Sequence, residues 1–299
     1  MARLLLAVLL LLASSAARSE EAAPARTMGE VLASSDPSDW EPLDPAQTLY
    51  VELPGGRVVI ALAPQFAPRH VANIKALVAE RFFDGLPIVR SQDNYVVQWG
   101  DPAETPEDRR PLGKAKASLP PEFDGPLPED LPITYLDDPD PYAPRVGFAH
   151  GFPVAVDPER GRVWLAHCYG MVGAGRDLAA DSGSGAELYV VIGHSPRHLD
   201  RNVTLVGRVV EGIEHLSTLP RGTGDLGFYE DPEDRVPIAS IRLGTEVDAS
   251  GRSALGLLRT DTRTFRDLVA ARRSRSEDWF VESTDRIGLC NVPLPVRPD

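Results

Sequence analysis

Cysteine is scarce. Cys168 and Cys290 are the only two in 299 residues, too few for a small scaffold stapled by several disulfides. In an exported chain they can pair with each other, or they can remain two buried free thiols. Positive charge is also short: Lys and Arg number 31 against 44 Asp and Glu, for a formal net charge of −13 and a pI near 5.0. Nucleic-acid binders gather Lys and Arg on one face to neutralise phosphates, so this balance argues against a nucleic-acid partner. No apolar run approaches the roughly 20 residues of a membrane-spanning helix. No self-similarity recurs at the roughly 20 to 50 residue period of a repeat protein.

What is present begins with Met1-Ala2-Arg3, the apolar run Leu4 to Leu12, and the small residues Ala13-Ser14-Ser15-Ala16-Ala17. Residues 1–17 thus have the three-part layout of a secretory signal peptide, with no Cys after the run to accept a lipid. An exported protein without a membrane span is expected, its natural compartment being a bacterial periplasm. Residues 18–44, rich in Ala, Ser, Glu, Asp and Pro, show no sustained periodicity and read as a flexible leader.

Thr48 to Leu53 and Arg57 to Leu62 flank Pro54-Gly55-Gly56, the pattern of a β-hairpin with a tight turn. Pro68 suits a first helical turn, and Val71, Ile74, Leu77 and Val78 recur at helical spacing, which predicts a helix from Pro68 to about Arg81. Residues 102–144 hold eleven prolines among many acidic residues. Such a segment cannot keep a regular helix or a central strand, and it reads as an insertion with Ile133 to Leu136 lying along the body. Strands are expected at Val146–Ala149, Arg162–Ala166, Leu188–Ile192, Thr204–Val210 and Val236–Leu243. Many short strands with two helices predict a mainly β fold, a closed barrel of about eight strands capped by the helices. The domain spans 45–244. Residues 245–299 form a C-terminal extension packed on the barrel, with a helix from about Thr262 to Arg273 and buried edge segments at Trp279-Phe280-Val281 and Ile287 to Cys290. A Cys168–Cys290 disulfide is expected to hold this extension in place.

Phe82-Phe83-Asp84-Gly85-Leu86-Pro87-Ile88-Val89-Arg90 followed by Tyr95-Val96-Val97-Gln98-Trp99-Gly100-Asp101 resembles the active-site strand pair of cyclophilins. In that family the order is aromatic-aromatic-Asp-Gly, a short strand ending in Arg, a turn, then aromatic-aliphatic-x-Gln-Gly-Gly-Asp; Trp99 stands at the first Gly of the closing pair. Gly183-Ser184-Gly185-Ala186-Glu187-Leu188-Tyr189-Val190-Val191-Ile192 is similar to the family's Gly-Ser-Gln, aromatic pair and aliphatic run. Leu199-Asp200 through Val206-Gly207-Arg208-Val209 and Glu211-Gly212 supply a third anchor. The resemblance spans roughly residues 47 to 243, interrupted by the insertion.

It implies a cyclophilin-like barrel and peptidyl-prolyl cis-trans isomerase activity on X-Pro bonds of exported proteins, by a monomer that uses no cofactor and no metal. The partners implied are proline-containing polypeptides. Amide resonance raises the barrier to rotation to roughly 18–20 kcal/mol, and a donor beside the prolyl nitrogen lowers it by drawing the lone pair out of resonance. Arg90 matches the family's donor. Gln98, able to donate and accept, matches the residue that holds the substrate backbone. Tyr95, Val96, Tyr189 and Leu199 match the apolar proline pocket, and Gly175 and Glu187 the rim.

Several positions depart from the family. Glu187 replaces a Gln, His198 falls near the pocket Trp that cyclosporin-sensitive members use, and Val203 replaces the pocket His. These changes keep a second reading open, a cyclophilin-fold peptide-binding module or chaperone with little catalysis. Other patterns are weaker. His194 and His198 are separated by Pro196 and share no helix face for a metal, and Ser182 and Ser184 lack the Gly-x-Ser-x-Gly elbow of a hydrolase.

Overall fold

In the computed structural model, which describes residues 26–103, 105 and 107–299, short strands dominate and helices are few. The expected signal peptide lies outside the described residues. The chain opens with α1 (Met28–Ala33), β1 (Trp40–Pro42), β2 (Thr48–Leu53), β3 (Gly56–Leu62), α2 (Pro68–Ala79), β4 (Pro87–Ser91) and β5 (Val96–Trp99). The proline-rich segment contributes β6 (Gly125–Pro126) and β7 (Thr134–Tyr135). Next come β8 (Arg145–Ala149), β9 (Phe152–Asp157), β10 (Arg162–Leu165), β11 (Met171–Ala174), β12 (Leu188–Val191), β13 (Leu205–Glu211) and α3 (Glu214–Ser217). The chain ends with β14 (Val236–Pro237), β15 (Ser240–Leu243), β16 (Leu255–Leu258), α4 (Arg263–Ser274) and β17 (Val296–Pro298).

Nine strands form one antiparallel sheet in the order β14-β4-β5-β12-β11-β13-β3-β2-β15. The expected single strand from Val236 to Leu243 is divided between its two ends. Ile238 exchanges backbone hydrogen bonds with Gly85 and Leu86 beside β4, and the Ala239 N–H donates to Glu52 of β2. Two consecutive residues therefore span the two ends of the curled sheet. Inside it, Val58, Ile60, Ile88, Val97, Trp99, Val190 and Val206 pack with Ile74 and Leu77 of α2. The β2–β3 turn depends on Gly56, whose φ of +144° disfavours an L side chain and whose Cβ would meet the His215 ring at 2.3 Å.

The rest of the chain builds a second body with its own core. Strands β6-β10-β9-β8-β7 form a five-stranded sheet, so the Val146–Ala149 and Arg162–Ala166 segments, expected in the barrel ladder, pair elsewhere. β9 between them is the strand that redirects them. Phe148 packs edge-on against Phe265 of α4 at 5.1 Å, and β1, β16 and β17 make a three-stranded sheet. Cys168 is bonded to Cys290.

Residues 26–44 are not the flexible leader that their composition suggests. Thr27 caps α1 in a reciprocal capping box with Glu30, and Trp40 is buried with β1 paired to β16. Tertiary pairing with the C-terminal extension supplies the order that local periodicity does not show. Within that extension Ile287 and Leu289 are buried as expected, whereas Trp279 and Val281 are almost fully exposed. The insertion also closes onto the body. Glu122 accepts from the backbone N–H groups of Arg69 (3.1 Å) and His70 (2.9 Å), so it caps α2, whose own N-cap, Ala67, has no side chain able to do so. Thr134 and Tyr135 pair with β8, and Leu136 is buried. Among the described residues no helix is long and apolar enough to cross a membrane.

Candidate active site

β4 and β5 bring Arg90 directly opposite Gln98, with an irregularity in the ladder between Ile88 and Arg90 that re-aims the arginine. The Arg90 Nη1 donates to Gln98 Oε1 (3.3 Å), its Nε donates to the Leu226 carbonyl (2.7 Å), and its Nη2 donates to Gln92 Oε1. The guanidinium lies near the Tyr95 and Phe228 rings, 5.5 and 5.3 Å from their centroids. Burial lowers its pKa somewhat from arginine's ordinary value, which leaves it cationic at neutral pH.

These groups edge a cleft of about 430 Å³ whose lining includes Arg90, Tyr95, Val96, Gln98, Gly175, Glu187, Tyr189 and Leu199. Eight side chains or backbone positions read from the sequence as site residues thus converge. His198 is not among the residues that line the cleft; its ring lies nearly parallel to that of Tyr95, with centroids 6.4 Å apart. Trp99, at the family's Gly position, is buried in the core of the nine-stranded sheet and is not among the residues that line the cleft. Val96, Tyr189 and Val191 form an apolar cluster against which Tyr95 and Val203 pack.

Gln98 is fixed at both ends, because its Nε2 donates to Glu187 Oε2 at 2.9 Å while its oxygen accepts from Arg90. Glu187 is open to the cleft, yet enough protein surrounds its carboxyl for burial to raise its pKa. It stands on the wall between this cleft and a second cavity of about 360 Å³ that also includes Asp101, Arg109 and Arg110.

Under the apolar floor runs a polar chain. The Tyr189 hydroxyl lies 2.8 Å from His167 Nε2, and His167 Nδ1 lies 2.9 Å from Asp200 Oδ1. Arg197 pairs with Asp200 (2.6 Å) and with Asp140 of the insertion (2.9 Å). Burial lowers the His167 pKa against the pull of Asp200, so the ring is neutral. Asp200, a carboxylate, can only accept; Nδ1 therefore carries the proton, and Tyr189 donates to Nε2. Burial alone would raise the Asp200 pKa, but the His167 hydrogen bond and the Arg197 charge outweigh it and hold it low. Gly173 leaves the space the Tyr189 ring needs, since a Cβ there would lie 2.2 Å from Cζ.

His167, Leu226 and Phe228 are the contributors that sequence reasoning missed. Leu226 and Phe228 come from a loop that follows α3 and is joined to Arg90 by an isolated bridge to Phe228. Nothing in its local sequence marks it. His167 follows an apolar strand, where a histidine reads as core.

Residues 48–243 match the family described as cyclophilin type peptidyl-prolyl cis-trans isomerase/CLD. The chain is 24% identical over 208 residues to a "probable peptidyl-prolyl cis-trans isomerase" of Brucella suis, covering 68% of this chain and 86% of that protein. A protein of Brucella abortus with the same description matches at the same identity and coverage. Among solved structures, the chain is similar to the crystal structure of cyclophilin AquaCyp293 from Hirschia baltica, with a TM-score of 0.69 and 26% identity over 91% of this chain and 97% of that one.

Proposed function

The chain belongs to the cyclophilin-type peptidyl-prolyl cis-trans isomerase family, and from this premise we propose that the Arg90 cleft turns X-Pro bonds of exported proteins, assisting their folding. The observation that carries the reading is the position of Arg90, a cation without a carboxylate partner among the described residues, at the edge of an apolar floor. Three of the five guanidinium N–H groups are spent on Leu226, Gln98 and Gln92, which fixes the plane and leaves two for a substrate.

With the proline ring against Val96, Tyr189 and Leu199, a free Arg90 N–H faces the prolyl nitrogen. As the bond twists, that nitrogen becomes pyramidal and its lone pair becomes an acceptor. A donor already in place strengthens its hydrogen bond in the transition state without reorganising, which is what lowers a barrier. Gln98 positions the substrate backbone. The rotation breaks no covalent bond, so the mechanism draws on no cofactor. The layout of residues 1–17 supports export to a periplasm, where the clients would be unfolded polypeptides rich in cis-trans mixtures.

Exchange NMR of a short proline peptide tests the reading. The protein should produce cis-trans exchange cross-peaks, and Arg90→Ala, folded by circular dichroism, should remove most of them. Full exchange with folded Arg90→Ala would overturn the mechanism. Peptide shifts without exchange in the native protein would favour a binding module, the reading that the replacements at Glu187, His198 and Val203 support.

A further inference from the structure

Arg208 is a buried cation with nothing to balance it. It lies on β13 opposite Met171 of β11 and Ala61 of β3, and it is 7% exposed. Its Nε is buried without a hydrogen-bond partner, and among the described residues no carboxylate pairs with the guanidinium. Burial lowers its pKa to about 10, with no acidic neighbour pulling it back. The other arginine buried as deeply among the described residues is matched: Arg197 holds two carboxylates, and Asp200 holds a histidine and an arginine. A fold that leaves one cation unmatched carries a large desolvation cost unless something from outside supplies the counter-charge.

Arg208 lines a cavity of about 150 Å³ at the seam between the nine-stranded sheet and the second body. The lining also includes Gln65, His150 and Gly151, of which Gln65 and His150 are solvent-exposed. Glu41 and Asp44 stand in the lining as well, both solvent-exposed, and Asp44 is engaged in capping, accepting from the Ala46 N–H at 2.8 Å. The planar guanidinium presents paired N–H donors matched to two oxygens of one anion. We propose that this cavity is an oxyanion site that takes one small anion of the phosphate or carboxylate class, bound by Arg208 with Gln65 and His150 as neighbouring hydrogen-bonding groups. None of these residues belongs to the Arg90 cleft, so the site is independent of the isomerase reading. An anion seated there touches both bodies and stabilises their seam.

The test uses the full chain labelled with ¹⁵N and follows the Arg208 Nε–H resonance, assigned by its disappearance in Arg208→Gln. Inorganic phosphate and acetate are titrated separately at constant ionic strength. A saturable shift of that resonance is expected with at least one anion, together with a rise of several degrees in Tm that Arg208→Gln lacks. Saturation by phosphate alone assigns a tetrahedral oxyanion; saturation by acetate assigns a carboxylate. Absence of a saturable shift with either anion would overturn the proposal, and so would an equal rise in Tm in Arg208→Gln. A resonance indifferent to both anions but moved by Glu41→Gln would also overturn it, by showing that Arg208 finds its counter-charge within the chain. Should Arg208→Gln fail to fold, Arg208→Lys, which also lacks the Nε–H group but keeps the charge, gives the assignment, and the titration is read in the native protein.

Discussion

The Tyr189 hydroxyl donates to His167 Nε2 across 2.8 Å, so the floor of the cleft is held by a histidine that has no solvent exposure of its own. Tyr189→Phe keeps the ring but leaves a buried ring nitrogen without a donor. We expect a loss of about 1–3 kcal/mol in stability, measured by urea unfolding. The cis-trans exchange rate should fall less than it does in Arg90→Ala, because the apolar surface remains.

The same chain sets an acid limit. His167 has its folded pKa below the ordinary 6.5 and Asp200 below the ordinary 3.8. A group with a depressed folded pKa contributes stability above its unfolded pKa and loses it as the pH falls through the folded value. Both therefore act in one direction. The Tm should be level above pH 6.5 and decline progressively below it, and His167→Asn should lose the early part of the decline while keeping the part near Asp200. A Tm unchanged from pH 7 to pH 4 would contradict the protonation states assigned here.

Gln98→Ala should lower kcat/KM about tenfold, corresponding to roughly 1.4 kcal/mol of transition-state stabilisation, with a larger change in KM than Arg90→Ala shows. Glu187 has its pKa raised by burial, so it takes up a proton at a pH above 4.5. As it does, Gln98 loses its anionic acceptor. We expect KM to rise as the pH falls through that point, and Glu187→Gln to flatten the profile.

Cyclosporin should bind weakly. His198 stacks on Tyr95 and does not reach the cleft lining, so the flat aromatic donor of sensitive family members has no counterpart there, and loss of one aromatic anchor can remove much of a ligand's affinity. Calorimetry decides this, and tight binding would show that another side chain takes over that wall.

The bond between Cys168 and Cys290 closes a separation of 122 residues. Restriction of the unfolded chain by a loop of this length is worth about 3–5 kcal/mol. Cys290→Ser, or reduction in denaturant, should lower the unfolding midpoint accordingly, with the C-terminal extension the first region to gain amide exchange.

How much of this could be read from the chain depended on whether a signal was local. The hairpin at Gly56, α2 and α4 follow from turn chemistry and helical spacing, and their observed bounds lie close to the expected ones. Arg90, Gln98 and Tyr189 were legible because they sit on adjacent strands with motif residues beside them. Leu226 and Phe228 reach the cleft from more than a hundred residues away, and no periodicity encodes that approach. The five-stranded sheet was hidden for a related reason. Its strands look like those of the nine-stranded sheet, and only β9, whose run Phe152–Asp157 is buried on both faces, shows that they serve a second core. α1 and β1 were missed because six-residue and three-residue elements hold no sustained pattern; their order comes from α4 and β16.

The insertion's acidic residues hold other parts of the protein in place. Glu122 closes the start of α2, Asp140 grips Arg197, and Asp138 holds Arg273 at 2.8 Å. Trimming residues 102–144 would therefore remove one of the two carboxylates on Arg197, leaving only Asp200, and uncap a helix that has no cap of its own. A shortened protein would need a capping residue at position 67 to replace what Glu122 supplies. For this chain, the segment that composition marks as an insertion is a structural part of the enzyme's frame.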